Sequence, residues 1–195
     1  MNKRGKPSGT GVPPVCANEA ATQKRTGGTP MPLQLCPNCG LCCDSTLFAD
    51  VELRAGDDAK RLKKLGLTLF EKTKTRLAFV QPCAGFDGKL CRIYADRPQR
   101  CRKFDCGLLK RVEANEMTAN AALKKISEAK QRAEKVRELL RSLGQREERM
   151  ALTHRYADAM SAPIDLADAA SADRHGELML AVNDLMTRLQ RDFLR

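Results

Sequence analysis

The stretch Cys36-Pro37-Asn38-Cys39-Gly40-Leu41-Cys42-Cys43 decides how this chain is read, together with an answering run from Cys83 to Cys106, CAGFDGKLCRIYADRPQRCRKFDC. Eight of the nine cysteines lie in these two runs. Cys36, Cys39 and Cys42 follow one another at two-residue gaps. A tight turn brings sulfurs at such spacing to one side, where thiolates ligate zinc or an iron-sulfur cluster. Cys43 is expected to face a second centre, because adjacent side chains in a non-helical segment point apart. In the second run, Asp87-Gly88 is a tight-turn signal that places Cys83 and Cys91 on the arms of a hairpin. Arg97-Pro98 ends regular pairing and swings Cys101 and Cys106 back toward the first run. Four plus four thiolates suit two tetrahedral sites, or one cubane beside another metal. His154 and His175 lie far down the chain, which excludes a finger built from two cysteines and two histidines.

The pattern CPNCGLCC followed by C-x7-CRIYADRPQRCRKFDC resembles the CxxCxxCC family of zinc- or iron-chelating proteins, often called YkgJ-like, whose defining feature is eight cysteines. Each has a counterpart here: Cys36, Cys39, Cys42, Cys43, Cys83, Cys91, Cys101 and Cys106. The Ile93-Tyr94 and Arg97-Pro98 pairs and the Cys101-Arg102 step match as well. The resemblance implies metal chelation through these thiols, with zinc or iron as the metal. Flagellin lysine N-methylases are similar in the cysteine motif and are thought to carry an iron-sulfur cluster, which implies a rival, enzymatic reading.

Composition sets the bounds. A chain of 195 residues has room for one domain, or a small one with an appendage. The part from Cys36 to Cys106 has no Trp and buries a thin core, so it needs a staple. No apolar run of signal-peptide or membrane-spanning length is present, and in a reducing cytoplasm C-x2-C spacing means metal rather than disulfide. A net charge of +11 suggests nucleic acid or an anionic surface. Its even spread and the scarcity of aromatic residues weaken that reading, since no stacking platform accompanies it.

The fold class expected is α+β: a small cysteine-rich, metal-stapled domain with short strands (36–107), followed by an α-helical C-terminal region (108–195). Residues 1–35, rich in Gly, Pro and Thr, read as a disordered leader. Met31 is an alternative start that would leave Cys16 outside the protein. Residues 46–53 read as a strand or extended segment, and 67–70 and 77–80 as strands around a polar 71–75 connection. Asp57 reads as the start of a helix over 58–65 that Gly66 stops. With the Cys83/Cys91 hairpin the strands could make a small antiparallel sheet. Tyr94 and Phe104 are assigned to core, and Arg97 is the cation singled out to steady the late thiolates. Arg92, Arg100 and Arg102 are weaker candidates for the same task.

Beyond Cys106 the periodicity becomes helical. A short helix over 108–114 ends at Asn115, and Thr118 caps a long amphipathic helix with Leu123, Ile126, Ala129, Ala133, Val136, Leu140 and Leu143 inward, ending at Gly144. Glu134, Arg137, Glu138 and Arg141 are placed on its wet side. A weaker helix over 145–160 is broken by Pro163. A last one, 173–193, carries a stripe of Leu178, Val182, Leu185, Leu189 and Phe193. Met150, Met160, Met179 and Met186 are expected to fill core. These helices pack on the cysteine domain or supply a surface for a protein partner or self-association.

The leading function is a cytoplasmic metal-binding protein. Its rivals are an iron-sulfur enzyme such as a protein lysine N-methylase, opposed by the lack of a cofactor loop or catalytic constellation, and a zinc-stapled nucleic-acid-binding module. In a ferredoxin run the fourth cysteine follows after three residues, whereas Cys43 follows at once, which tips the metal toward zinc.

Overall fold

Thr118 holds the chain extended and accepts the Ala121 N–H on its hydroxyl, so the following residues coil as a helix. In the computed structural model, which describes residues 35–164 and 168–195, that helix spans 24 residues, Ala119–Ser142. The expected leader, Cys16 and the alternative start at Met31 lie outside the described residues. Its elements are α1 (Leu35–Cys39), β1 (Asp50–Glu52), α2 (Ala59–Lys64), β2 (Leu69–Thr73), β3 (Arg76–Val80), α3 (Gln99–Arg102), α4 (Gly107–Glu113), α5 (Ala119–Ser142), α6 (Leu152–Ser161) and α7 (Ala169–Asp192). The class is α+β, with the helices gathered toward the C-terminus.

α5 buries Ala122, Ile126, Ala129, Ala133, Val136 and Leu140, one stripe at three- and four-residue steps. α7 lies against it through Leu178, Leu185 and Leu189, and α4 adds Leu108 and Val112. Leu35 and Leu41, from the cysteine run, belong to this same core. α7 starts earlier than expected because Asp168, not a later residue, caps it by accepting the Ala170 N–H. α6 starts later than expected: its first N–H, on Leu152, is taken by the Ser45 hydroxyl, a cap supplied from 107 positions away. Two expectations fail on α7. Met179 is 50 % exposed and Met186 36 %, because both sit off the Leu178-Leu185-Leu189 stripe that touches α5.

The C-terminus is tied into this bundle by Asp192, whose carboxylate takes Lys125, Arg111 and Arg191. Burial opposes its ionisation, yet the three cationic donors outweigh burial and hold the carboxyl down at about 2. Gly107 permits the approach, since a Cβ there would stand 2.6 Å from the Arg195 carbonyl oxygen.

The sheet is antiparallel in the order β1-β3-β2, with Val51 opposite Phe79 and Phe70 opposite Ala78. β2 runs through Glu71 to Thr73, part of the expected connection, so only Lys74 and Thr75 remain as the turn. Asp58, not Asp57, caps α2. Asp57 instead accepts the Arg54 and Gln99 N–H groups and so fastens α3 to the loop before α2. Val51, Leu62, Leu67, Phe79, Cys83 and Ile93 form a second, separate core. The Cys83/Cys91 hairpin closes through a single bridge, Phe86 to Cys91, and does not join the sheet.

Candidate metal centre

Short-range geometry gathers the eight cysteines from five segments. Cys36 and Cys39 ride on α1, which Gly40 ends at φ +75°. A Cβ at Gly40 would stand 2.6 Å from the Phe86 ring, so this position needs glycine both for its backbone angle and for the close approach. The Gly40 carbonyl then accepts the Cys43 and Asp44 N–H groups at 2.8 and 3.0 Å, curling Cys42 and Cys43 into a tight turn while Leu41 is fully buried among the helices. The two runs are joined directly by the Cys83 N–H, which donates to the Cys43 carbonyl at 2.8 Å. Asp87 accepts the Lys89 and Leu90 N–H groups and closes the loop that carries Cys91. Pro98 opens α3, which presents Cys101, and Cys106 stands at the start of α4.

All eight thiols are free. Burial raises Cys36, Cys39, Cys83, Cys91, Cys101 and Cys106 above the ordinary thiol value, Cys39 and Cys101 to about 12. Cys42 departs from them: the Cys43 thiol donates to its sulfur, which lowers Cys42 and raises Cys43. The expectation that adjacent side chains point apart therefore fails, because Cys42 and Cys43 lie in a turn rather than an extended strand.

Ionised Cys42 contributes to raising each of the other seven thiols. Around that hub the neighbours sort into two groups. Cys36 and Cys106 act on Cys39, while Cys83 and Cys91 act on Cys43 and Cys101. The packing divides them the same way, with Cys39 and Cys106 against the helical core and Cys43, Cys83, Cys91 and Cys101 against the sheet core.

Arg97 stacks 3.6 Å above the Tyr94 ring and lowers Cys36, Cys42, Cys91 and Cys101 against the burial that raises all four. Tyr94 is thus a platform and 59 % exposed, contrary to its assignment to core, whereas Phe104 meets Phe48 edge to face at 5.0 Å. The other three arginines are turned elsewhere: Arg92 to Asp87, Arg100 to Glu52, and Arg102 to the Arg97 and Ala95 carbonyls.

Sequence reasoning missed two residues of α5 that hold the first cysteine loop. Arg137, expected on the wet side of α5, reaches across to the Asp44 carboxylate at 3.1 Å and the Thr46 hydroxyl at 2.9 Å. Lys130, two turns earlier, donates to the Asn38 carbonyl. Their helical spacing carries no mark of this role, because the loop they grip lies over ninety positions away.

The donor set fits a thiophilic metal: reduced sulfurs in number, with no competing disulfide among the described residues. Among the described residues, no three Cys, His, Asp or Glu side chains are converged as they stand on a point that would hold an ion.

Comparison with curated proteins and with solved structures found no match. A family model does match, CxxCxxCC, described as a putative zinc- or iron-chelating domain, over residues 35–126. That span takes in both cysteine runs, α4 and the first turns of α5. Over residues 35–126 this chain is similar to the CxxCxxCC family.

Proposed function

We propose that the protein chelates zinc or iron in two adjacent four-thiolate sites, one from Cys36, Cys39, Cys42 and Cys106 and the other from Cys43, Cys83, Cys91 and Cys101. The observation that carries this reading is the position of Cys42 as the electrostatic neighbour of all seven other thiols, with the rest divided between two cores. Side-chain rotation on a scaffold already in place would draw each set inward.

Metal loading on this scaffold displaces protons from buried thiols. Arg97 supplies positive charge to both groups, and Asp44, itself held by Arg137, adds negative charge beside Cys42. A four-thiolate site with a divalent ion carries −2, so two sites would lower the formal charge of +11 to about +7. Such a centre supplies a structural clamp in the zinc form and electron storage in an iron-sulfur form. We place the protein in a reducing compartment such as the cytoplasm, where eight free thiols persist. No helix among the described residues is long and apolar enough to cross a membrane.

Anaerobic purification with elemental analysis and a visible spectrum tests the proposal. About two zinc ions per chain in a colourless protein is the expected result. Stoichiometric iron with acid-labile sulfide would replace zinc by a cluster and keep the chelation reading, while a metal-free protein that binds neither ion would sink it.

A further inference from the structure

α7 turns most of its charges toward α5: Glu177 pairs with Lys135, Asp184 with Arg132 and Arg188 with Glu128. Its outward face recurs at four- and three-residue steps as Ala172, Gly176, Met179, Asn183, Met186 and Gln190, with Leu180 beside Met179. None of these is charged, in a chain of which 30 % is charged. Leu180 is 73 % exposed, and Met179 and Met186 are exposed with it. Among the described residues, nothing lies within 4 Å of where a Gly176 Cβ would stand. Glycine weakens a helix interior, so its small size here serves no contact within the described fold.

We infer that this face binds a second copy of the chain, the two α7 helices running antiparallel across a twofold axis at Asn183. Size fixes the direction. Small residues, Ala172 and Gly176, stand at one end of the face and long ones, Gln190 and Leu194, at the other. Antiparallel pairing sets Gly176 against Gln190, Ala172 against Leu194 and Met179 against Met186, whereas parallel pairing leaves Gly176 facing Gly176 across a gap. Charge agrees. Asp173 and Arg195, at opposite ends, have no ion pair among the described residues, and antiparallel pairing brings Asp173 of each copy near Arg195 of the other. The Asn183 amide both donates and accepts, so two of them on the axis satisfy each other. Copies that each carry +11 repel over most of their surface, and the uncharged face is where they meet at least cost. The metal reading plays no part in this inference.

Sedimentation velocity of the full chain under reducing conditions, over a range of concentrations, tests it. A reversible monomer–dimer equilibrium is expected. Leu180→Glu, at a side chain that stands in solvent in the single chain, should weaken the dimer at least tenfold while the helical circular dichroism stays unchanged. Gly176→Leu meets open space in the single chain, so it should keep or raise the melting temperature of the monomer, yet weaken the dimer at least tenfold by filling the gap that receives Gln190. Asp173→Arg and Arg195→Asp should each weaken the dimer several-fold and, combined, restore it. A monomer at every concentration, or a dimer that Leu180→Glu leaves intact, overturns the inference. Charge variants that do not compensate each other overturn the antiparallel arrangement.

Discussion

The helical and cysteine-bearing halves are built on different physics. Among the described residues, eighteen buried ones form the helical core against six in the sheet core, so the first half is stabilised by apolar burial and the second is too thin to stand on burial alone. Cysteines pack around the smaller core where a larger domain would place leucines. The lesson is that the missing stability of the sheet half has to come from outside it: the grip of α5 and α6 on residues 38–46 is one source, and the proposed metal at the thiols would be the other.

Metal removal should break this contrast open most widely. Structural zinc contributes about 10–16 kcal/mol to small thiolate domains. Chelation under reducing conditions should abolish amide protection around residues 43–104 while α5 and α7 keep theirs. Hydrogen exchange measures this directly, and equal loss in both halves would show that one cooperative core serves the whole chain.

Gly40→Ala attacks the junction itself. The left-handed backbone costs about 1–2 kcal/mol for a residue with a Cβ. Displacement of Phe86 adds about 1–3 kcal/mol more. We expect a lower melting temperature and reduced metal content together. A normal metal content at unchanged Tm would mean that Phe86 yields and the turn tolerates alanine.

Asp192 sharpens the comparison from the helical side. Its folded pKa of about 2 lies below the unfolded carboxyl value, so its contribution is fully present above about pH 4 and is lost as pH falls through 2. Asp192→Asn should cost about 2 kcal/mol at neutral pH, with little change in metal content. Denaturant titration from pH 7 to 2 should find the two proteins converging at the acid end; a constant difference would refute the linkage.

Arg97→Gln should have the smallest effect and report on the thiols alone. Metal must displace protons, and Arg97 makes them easier to lose. The pH midpoint of metal release should therefore rise by about a few tenths of a unit, with stability of the loaded form nearly unchanged. A downward shift, measured by metal release against pH, contradicts the role assigned to Arg97.

What could be read from the chain alone was whatever depends on neighbours within a few positions. Thr118 and Gly144 at the ends of α5, the Leu178-Leu185-Leu189 stripe, and the spacing Cys36-Cys39-Cys42 are all local signals, and helix caps, apolar periods and turn-forming residues act over one or two turns. The short strands blurred at their ends because pairing with β3, not local preference, sets where β2 runs. Tertiary structure alone decided that Leu41 enters the helical core, that Arg137 holds Asp44, and that α6 begins where Ser45 caps it. Each of these depends on groups brought together by packing, and their sequence separations of up to 107 positions leave no trace in any local pattern.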